Sequence, residues 1–186
     1  MQRLFDGRRS FYYLYCLGNF TDIYDSAKVC PIAAVEVEMS LWDTSILEND
    51  IAKTCHELNI PIVAYSPLGW GALTGAFTSK DSFPEGDFRR NLQKFQDEHM
   101  VHNLKLIQEV KSLAERKGVA PVQIALAWIL TLSEREDMPT IIPIPGGSTK
   151  DKVTQNLNGV PRLSESEMAE IERILKENRV VGKRYY

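Results

Sequence analysis

Apolar and polar positions along this chain change period several times, and each change marks an element. Ile32 to Val37 is a short apolar, β-branched run with Glu36 and Glu38 at its far end, and Leu47, Ile51, Cys55 and Leu58 then recur at helical spacing. That predicts one strand followed by one helix. Ile60 to Tyr65 predicts a second strand, after which Ser66 to about Asp97 holds no period and is broken by Pro67, Gly69, Gly71, Gly75, Pro84 and Gly86. A connection that long usually serves as a lid or a binding loop. Met100, Leu104, Ile107 and Ala114 restore the helical period up to Gly118, and Pro121 opens a further helix that buries Val122, Ala125, Leu126, Ile129 and Leu132. A third strand is predicted over 140–144 and a helix over 149–158. A last helix starts at Ser164, with Glu167 completing a capping box and Leu163 and Met168 a hydrophobic staple, so Met168, Ile171 and Leu175 should face the core.

Strands separated by helices predict a parallel sheet with right-handed crossovers. Three such units cannot close an eight-stranded barrel by themselves. The pattern therefore fits three consecutive units of a (β/α)8 barrel with a C-terminal helix, or a small open α/β layer. In either, chemistry gathers at the C-terminal strand ends, where Glu36, the segment Ser66 to Gly71 and the segment Pro145 to Lys152 fall. In Ala64-Tyr-Ser-Pro-Leu-Gly69 and Ile142-Pro-Ile-Pro-Gly-Gly-Ser148 a strand breaks into small, polar or Gly/Pro residues, and the second runs straight into a helix. α/β proteins hold phosphate groups this way, so a nucleotide site is expected.

Composition narrows the function classes. With 44% hydrophobic and 25% charged residues among 186, the chain has the make-up of a globular protein. Twenty-five acidic against 22 basic residues, with no Lys/Arg stripe, argue against nucleic acid as a partner, and Arg8-Arg9 and Arg89-Arg90 read as solvated pairs. Phe11 to Leu17 is too short and too rich in tyrosine for a signal sequence, and no window approaches the roughly 20 apolar residues of a membrane span. Cys16, Cys30 and Cys55 share no metal-ligand spacing, which fits a reducing compartment, and a cytoplasmic or nuclear location is expected. His56, His99 and His102 make no ligand set, so no metal site is expected. Glu36 and Glu38 share a strand face without a fixed separation, which does not define an acid/base pair.

From Lys28 to the C-terminus the chain resembles the C-terminal half of the aldo-keto reductases, in particular the fungal pyridoxal reductase branch. The matching stretches are Val35-Glu-Val-Glu-Met-Ser-Leu41, Tyr65-Ser-Pro-Leu-Gly69 with Gly71-Ala-Leu-Thr-Gly75, Pro84-Glu-Gly-Asp-Phe-Arg89, and Ile142-Pro-Ile-Pro-Gly-Gly-Ser148. Residues 1–27 carry no such match and are set apart as an N-terminal segment, leaving 28–186 as the cofactor-binding half of an NADP-dependent oxidoreductase.

The resemblance implies a partial (β/α)8 barrel, NADP(H) as cofactor and a small aldehyde such as pyridoxal as substrate. By that likeness Tyr65 stacks on the nicotinamide and Glu36 meets its carboxamide. Ser66, Leu68 and Gly69 line the pyrophosphate, Gly147, Ser148, Thr149 and Lys152 grip the 2′-phosphate, and Gln155 and Asn156 lie near the adenine. Residue chemistry alone leaves Tyr65 open to a core role and Lys152 to a solvated one. Trp70 stands where the branch commonly carries Arg. The family's catalytic Asp, Tyr, Lys and His belong to the other half of the barrel, so no catalytic residue is expected here. An unclosed barrel would also expose strand edges, through which a non-catalytic module could self-associate.

Overall fold

Alternating strand and helix periods build four parallel strands laid side by side in chain order. The computed structural model describes residues 13–16, as backbone, and residues 19–183 with their side chains. Strands β1 (Tyr13–Cys16), β2 (Ile32–Glu38), β3 (Ile62–Tyr65) and β4 (Ile141–Pro143) form one sheet in the order β1-β2-β3-β4, every neighbouring pair parallel. Helices α1 (Phe20–Val29), α2 (Ile51–Glu57), α3 (Asp97–Lys117), α4 (Pro121–Leu132), α5 (Lys150–Leu157) and α6 (Glu165–Glu177) supply the crossovers and the C-terminal helix. This is an arc of a (β/α)8 barrel.

The three strands predicted from the sequence are present, β2 one residue longer and β3 and β4 shortened. Backbone pairing still reaches the predicted limits, since the Ile62 amide donates to the Thr140 carbonyl at 2.8 Å and the Ile144 amide to the Ala64 carbonyl at 3.0 Å. β1 and α1 were not predicted, and they fall largely within the segment 1–27. Asn19 caps α1 through a reciprocal box with Asp22, its side-chain oxygen accepting from the Asp22 amide at 3.0 Å. Arg8 and Arg9, read as solvated, lie outside the described residues.

Side-chain alternation gives the sheet two unlike faces. Val35, Val37, Ile62, Ala64 and Ile141 are buried under the helices. On the other face Ala34, Glu36, Val63 and Tyr65 are half-buried, and Ile142 and Ile144 are 47% and 46% exposed. Cys16, Glu36, Val63 and Ile142 are register partners in one row across the sheet, as the layers of a barrel interior are built. α4 lies deepest: Val122, Ile124, Ala125, Leu126, Ala127, Trp128, Ile129 and Leu132 are all buried, so it is apolar nearly all round.

Some predicted faces shift. In α3 the buried line runs Met100, Asn103, Ile107, Val110 and Ala114, leaving Leu104 half-buried at its margin. The polar Asn103 breaks the apolar pattern yet is fully buried. Its amide nitrogen donates to the carbonyls of Lys94 and Val181 at 3.0 Å each, and its oxygen accepts from the Val181 amide at 2.8 Å. It pins the C-terminal tail. In α6, Ile174 takes the buried position expected for Leu175, and Leu175 is half-buried. Leu47 sits in a separate 3-10 turn (Ser45–Leu47), because Asp50 adopts φ 62° immediately before α2 and breaks the helix there.

Candidate functional site

Two strand ends meet where β3 and β4 leave the sheet. β3 delivers Tyr65, whose Cα partner on β2 is Glu38 and whose carbonyl accepts from the Met39 amide at 3.3 Å. The backbone then reverses through a run of left-handed residues: Ser66 at φ 50°, Gly69 at 58°, Trp70 at 58°, Gly71 at 93° and Gly75 at 74°. Ser66 and Trp70 have no glycine freedom, and each is strained by about 1–2 kcal/mol. The Gly69 amide donates to the Ser66 carbonyl at 2.9 Å and the Gly71 amide to the Leu68 carbonyl at 3.1 Å, so the turn folds tightly on itself. Only glycine fits at 69, because a Cβ there would lie 2.6 Å from the Trp42 Cβ.

The segment from Ser66 to Asp97, expected to lack regular structure, is a chain of 3-10 turns at Gly69–Thr74, Lys80–Ser82, Phe88–Asn91 and Gln93–Phe95. Short 3-10 turns carry no sequence period, which is why none was legible. Aromatic packing anchors them. Phe77 stacks on Phe83 at 4.4 Å, Phe83 meets Phe95 edge-on at 5.1 Å, and Phe95 stacks on Trp42 at 5.7 Å. Arg89 lies 4.8 Å from the Phe77 ring and 4.6 Å from Phe83, and its Nε and Nη2 hold both carboxylate oxygens of Asp87 at 3.0 and 2.6 Å. The reading of Arg89 as half of a solvated pair is therefore corrected. Arg90 is engaged as well, through the Phe83 carbonyl at 2.8 Å and Asp81 at 3.2 Å. The hydrogen bond from Arg89 is the chief reason the Asp87 carboxyl is held below its usual range.

Beyond β4 the chain is open. Gly146, Gly147, Ser148, Thr149, Lys150 and Lys152 are all exposed. The Thr149 hydroxyl caps α5 by accepting from the Lys152 amide at 3.3 Å, and the Lys152 ammonium donates to the Ser148 hydroxyl at 3.3 Å. Two lysines and two hydroxyls at a helix N-terminus make a donor set for a dianion. Asn156 is buried and donates to the Gly146 carbonyl at 3.2 Å, tying the loop back to α5, whereas Gln155 is exposed.

The predicted residues thus form two groups on adjacent strand ends, Tyr65 to Gly69 on one and Gly147 to Gln155 on the other, with Glu36 in the neighbouring row on β2. Sequence reasoning named Glu38 only to set it aside as an acid/base partner of Glu36; it is buried, and its Oε1 accepts the Trp70 indole N–H at 2.8 Å. The signal was present: a carboxylate two residues along one strand face from Glu36. Cys55 is buried and its thiol is pushed up to about 12 by burial, so it carries no thiolate chemistry near neutral pH. Among the described residues no cluster of His, Cys, Asp and Glu could hold a metal ion, and no helix is long and apolar enough to cross a membrane.

Comparison with known proteins places this geometry. The model of the aldo/keto reductase family matches residues 17–176, beginning inside the segment 1–27. A candidate pyridoxal reductase of Saccharomyces cerevisiae is 40% identical over 162 residues, covering 83% of this chain and 47% of its own length. The aldo-keto reductase yakc of Schizosaccharomyces pombe, whose name specifies NADP(+), is 38% identical over 163 residues, covering 86% and 46%. The chain spans about half the length of these relatives. Among solved structures, the glycerol dehydrogenase of Gluconobacter oxydans superposes with a TM-score of 0.75 at 24% identity over 92% of this chain and 51% of its own. A thermostable aldo-keto reductase bound to the inhibitor epalrestat superposes with a TM-score of 0.61 at 19% identity over 88% and 48%. At those identities the likeness is one of fold.

Proposed function

Because this chain belongs to the aldo/keto reductase family, we propose that it carries the NADPH-holding part of a reductase acting on a small aldehyde, with pyridoxal the substrate suggested by the name of the yeast relative. One observation carries the reading: the exposed donors Ser148, Thr149, Lys150 and Lys152 stand at the α5 N-terminus one strand away from Tyr65. That donor set fits a 2′-phosphate, which NADPH has and NADH lacks. Lys152 and the Ser148 and Thr149 hydroxyls hold the phosphate, with Gly147 leaving room for close approach. Gln155 lies on the adenine side, and Asn156 acts mainly by bracing Gly146. Ser66, Leu68 and Gly69 shape the path of the pyrophosphate. Tyr65 offers a flat apolar face with a polar tip to the nicotinamide, and Glu36 accepts from its carboxamide.

Bound NADPH supplies a hydride to the aldehyde carbon. The residues named above would bind and orient the cofactor; the family resemblance assigns the proton donor to the N-terminal half of the family's barrel. The test is titration of the 186-residue chain with NADPH and with NADH, followed by cofactor fluorescence. Tighter binding of NADPH is expected, and equal affinities would remove the 2′-phosphate role from Ser148, Thr149 and Lys152.

A second reading follows from Ile142 and Ile144. Parallel sheets are normally covered on both faces, yet these two are nearly half exposed, Ile142 on β4 and Ile144 just after it, and β4 pairs on one side only among the described residues. In this reading the chain is a non-catalytic module that covers that face with a second copy. Sedimentation of the purified chain as a monomer at micromolar concentration would end it.

A further inference from the structure

The left-handed turn after β3 does not hold itself. Two of its residues are strained, and Trp70 is fixed from three sides: its indole N–H donates to Glu38 at 2.8 Å, its ring meets Phe88 edge-on at 5.3 Å, and its carbonyl accepts from Arg89 Nη1 at 2.9 Å. The last of these contacts comes from a side chain 19 residues downstream that is itself immobilised. Its guanidinium carbon lies 4.8 and 4.6 Å from the stacked Phe77 and Phe83 rings, and one edge is held by both oxygens of Asp87. A backbone carbonyl fixed by so constrained a donor has little freedom to rotate. Gly71 closes the arrangement, since a Cβ there would stand 2.9 Å from Phe77 Cε2 and 3.3 Å from Arg89 Nη1. The guanidinium therefore packs directly on the turn.

We propose that Arg89 is a positioning residue for the cofactor site: it makes no contact with the ligand and sets the conformation of the 68–71 backbone that the pyrophosphate and nicotinamide arm lies along. The inference rests on the cofactor reading above. Its chemistry requires an arginine. The fork binds Asp87 with one edge and the Trp70 carbonyl with the remaining amino group, whereas a lysine ammonium is a point charge that cannot span the two.

Arg89→Lys separates this role from general stability, with Asp87→Asn as a second variant that frees the guanidinium while leaving it in place. Each is titrated with NADPH, which spans both strand ends, and with adenosine 2′-monophosphate, which lacks the pyrophosphate and reaches only the Ser148 to Lys152 end. Backbone hydrogen exchange of residues 66–75 is measured without ligand. The expected result is NADPH binding weakened about tenfold, the scale of losing one charge-assisted hydrogen bond, with 2′-monophosphate affinity unchanged and faster exchange in 66–75. Equal weakening of both ligands, or no weakening of either with unchanged exchange, would overturn the proposal. If the unaltered chain binds neither ligand the cofactor reading falls by itself. The exchange data then judge Arg89 alone: faster exchange in the variants upholds its hold on the turn, and unchanged exchange refutes it.

Discussion

The two strand ends of the proposed cofactor site are built in opposite ways. After β3, the turn from Ser66 to Gly75 takes left-handed backbone at five positions and is held by Trp42, Phe77, Phe83, Phe95 and Arg89 behind it. After β4, the segment from Gly146 to Lys152 is exposed throughout and is tied back by a part-buried hydrogen bond from Asn156 to Gly146. The difference follows from what each offers a ligand. A surface made of backbone shape must be fixed by interior packing, because strained φ values persist only where neighbours over-determine them. A surface made of charge and hydroxyl groups needs reach, and flexible side chains on a helix N-terminus supply it. Substitutions behind the first should cost stability, and substitutions on the second should cost affinity.

The largest effect is expected at Phe83, fully buried between Phe77 and Phe95 and against Arg89. Phe83→Ala should destabilise the chain by about 3–5 kcal/mol, the range for removing a buried aromatic side chain. Urea unfolding measures it. A change below about 1 kcal/mol would mean that the aromatic cluster does not anchor the turn, and the contrast between the two strand ends would collapse.

The glycines sharpen the same contrast. Gly69→Ala forces a Cβ at φ 58° to within 2.6 Å of the Trp42 Cβ, a group fixed to its own backbone. The left-handed strain and the overpacking together should cost about 2–4 kcal/mol. Gly147→Ala also creates a short contact, 2.5 Å, but to a methyl of Val153, which is 41% exposed and can rotate away. Its cost should stay below about 1 kcal/mol. Equal costs, read from thermal unfolding of the two variants, would deny that one end is rigid and the other compliant.

At the open end the expected loss is one of binding. On the proposed cofactor reading, Lys152→Ala removes a charge-assisted contact to the 2′-phosphate worth about 1.5–3 kcal/mol, so the preference for NADPH over NADH should fall about ten- to a hundredfold. The melting temperature should barely move, because Lys152 is exposed and among the described residues its ammonium reaches only Ser148. An unchanged preference would return Lys152 to the role of a solvated helix lysine.

What the sequence revealed of these two ends follows from how each is held. Charges and hydroxyls in a row after a strand can be read directly, which is why Ser148, Thr149 and Lys152 were legible and why the helix after them was predicted within a residue. The restraints behind the β3 turn join Trp42 to Gly69 and Arg89 to Trp70 across long stretches of chain with no local period. Arg89-Arg90 therefore looked like a solvated pair. β1 escaped for a related reason: four residues of Tyr, Leu and Cys are too few to show alternation, and what makes them a strand is pairing with β2. The Asn19 and Asp22 capping box was visible locally and would have announced α1.

The smallest expected effect tests the Arg89 fork from its acidic side. The hydrogen bond and charge of Arg89 hold the Asp87 carboxyl below its ordinary value, so the folded state keeps this group ionised to lower pH than the unfolded chain does. A carboxylate lowered on folding stabilises fully above its unfolded value, near 3.9, and that stabilisation disappears as pH falls through the lower folded value. Asp87→Asn should therefore be less stable than the unaltered chain at neutral pH, by about 1 kcal/mol or less for a pair that remains partly solvated. The gap should stay constant down to about pH 4 and close below it. Urea unfolding of both proteins across that range measures the gap. A difference that persists unchanged at a pH low enough to protonate Asp87 in the folded state would locate the effect in the amide substitution and remove the ion pair from the account of how the turn is held.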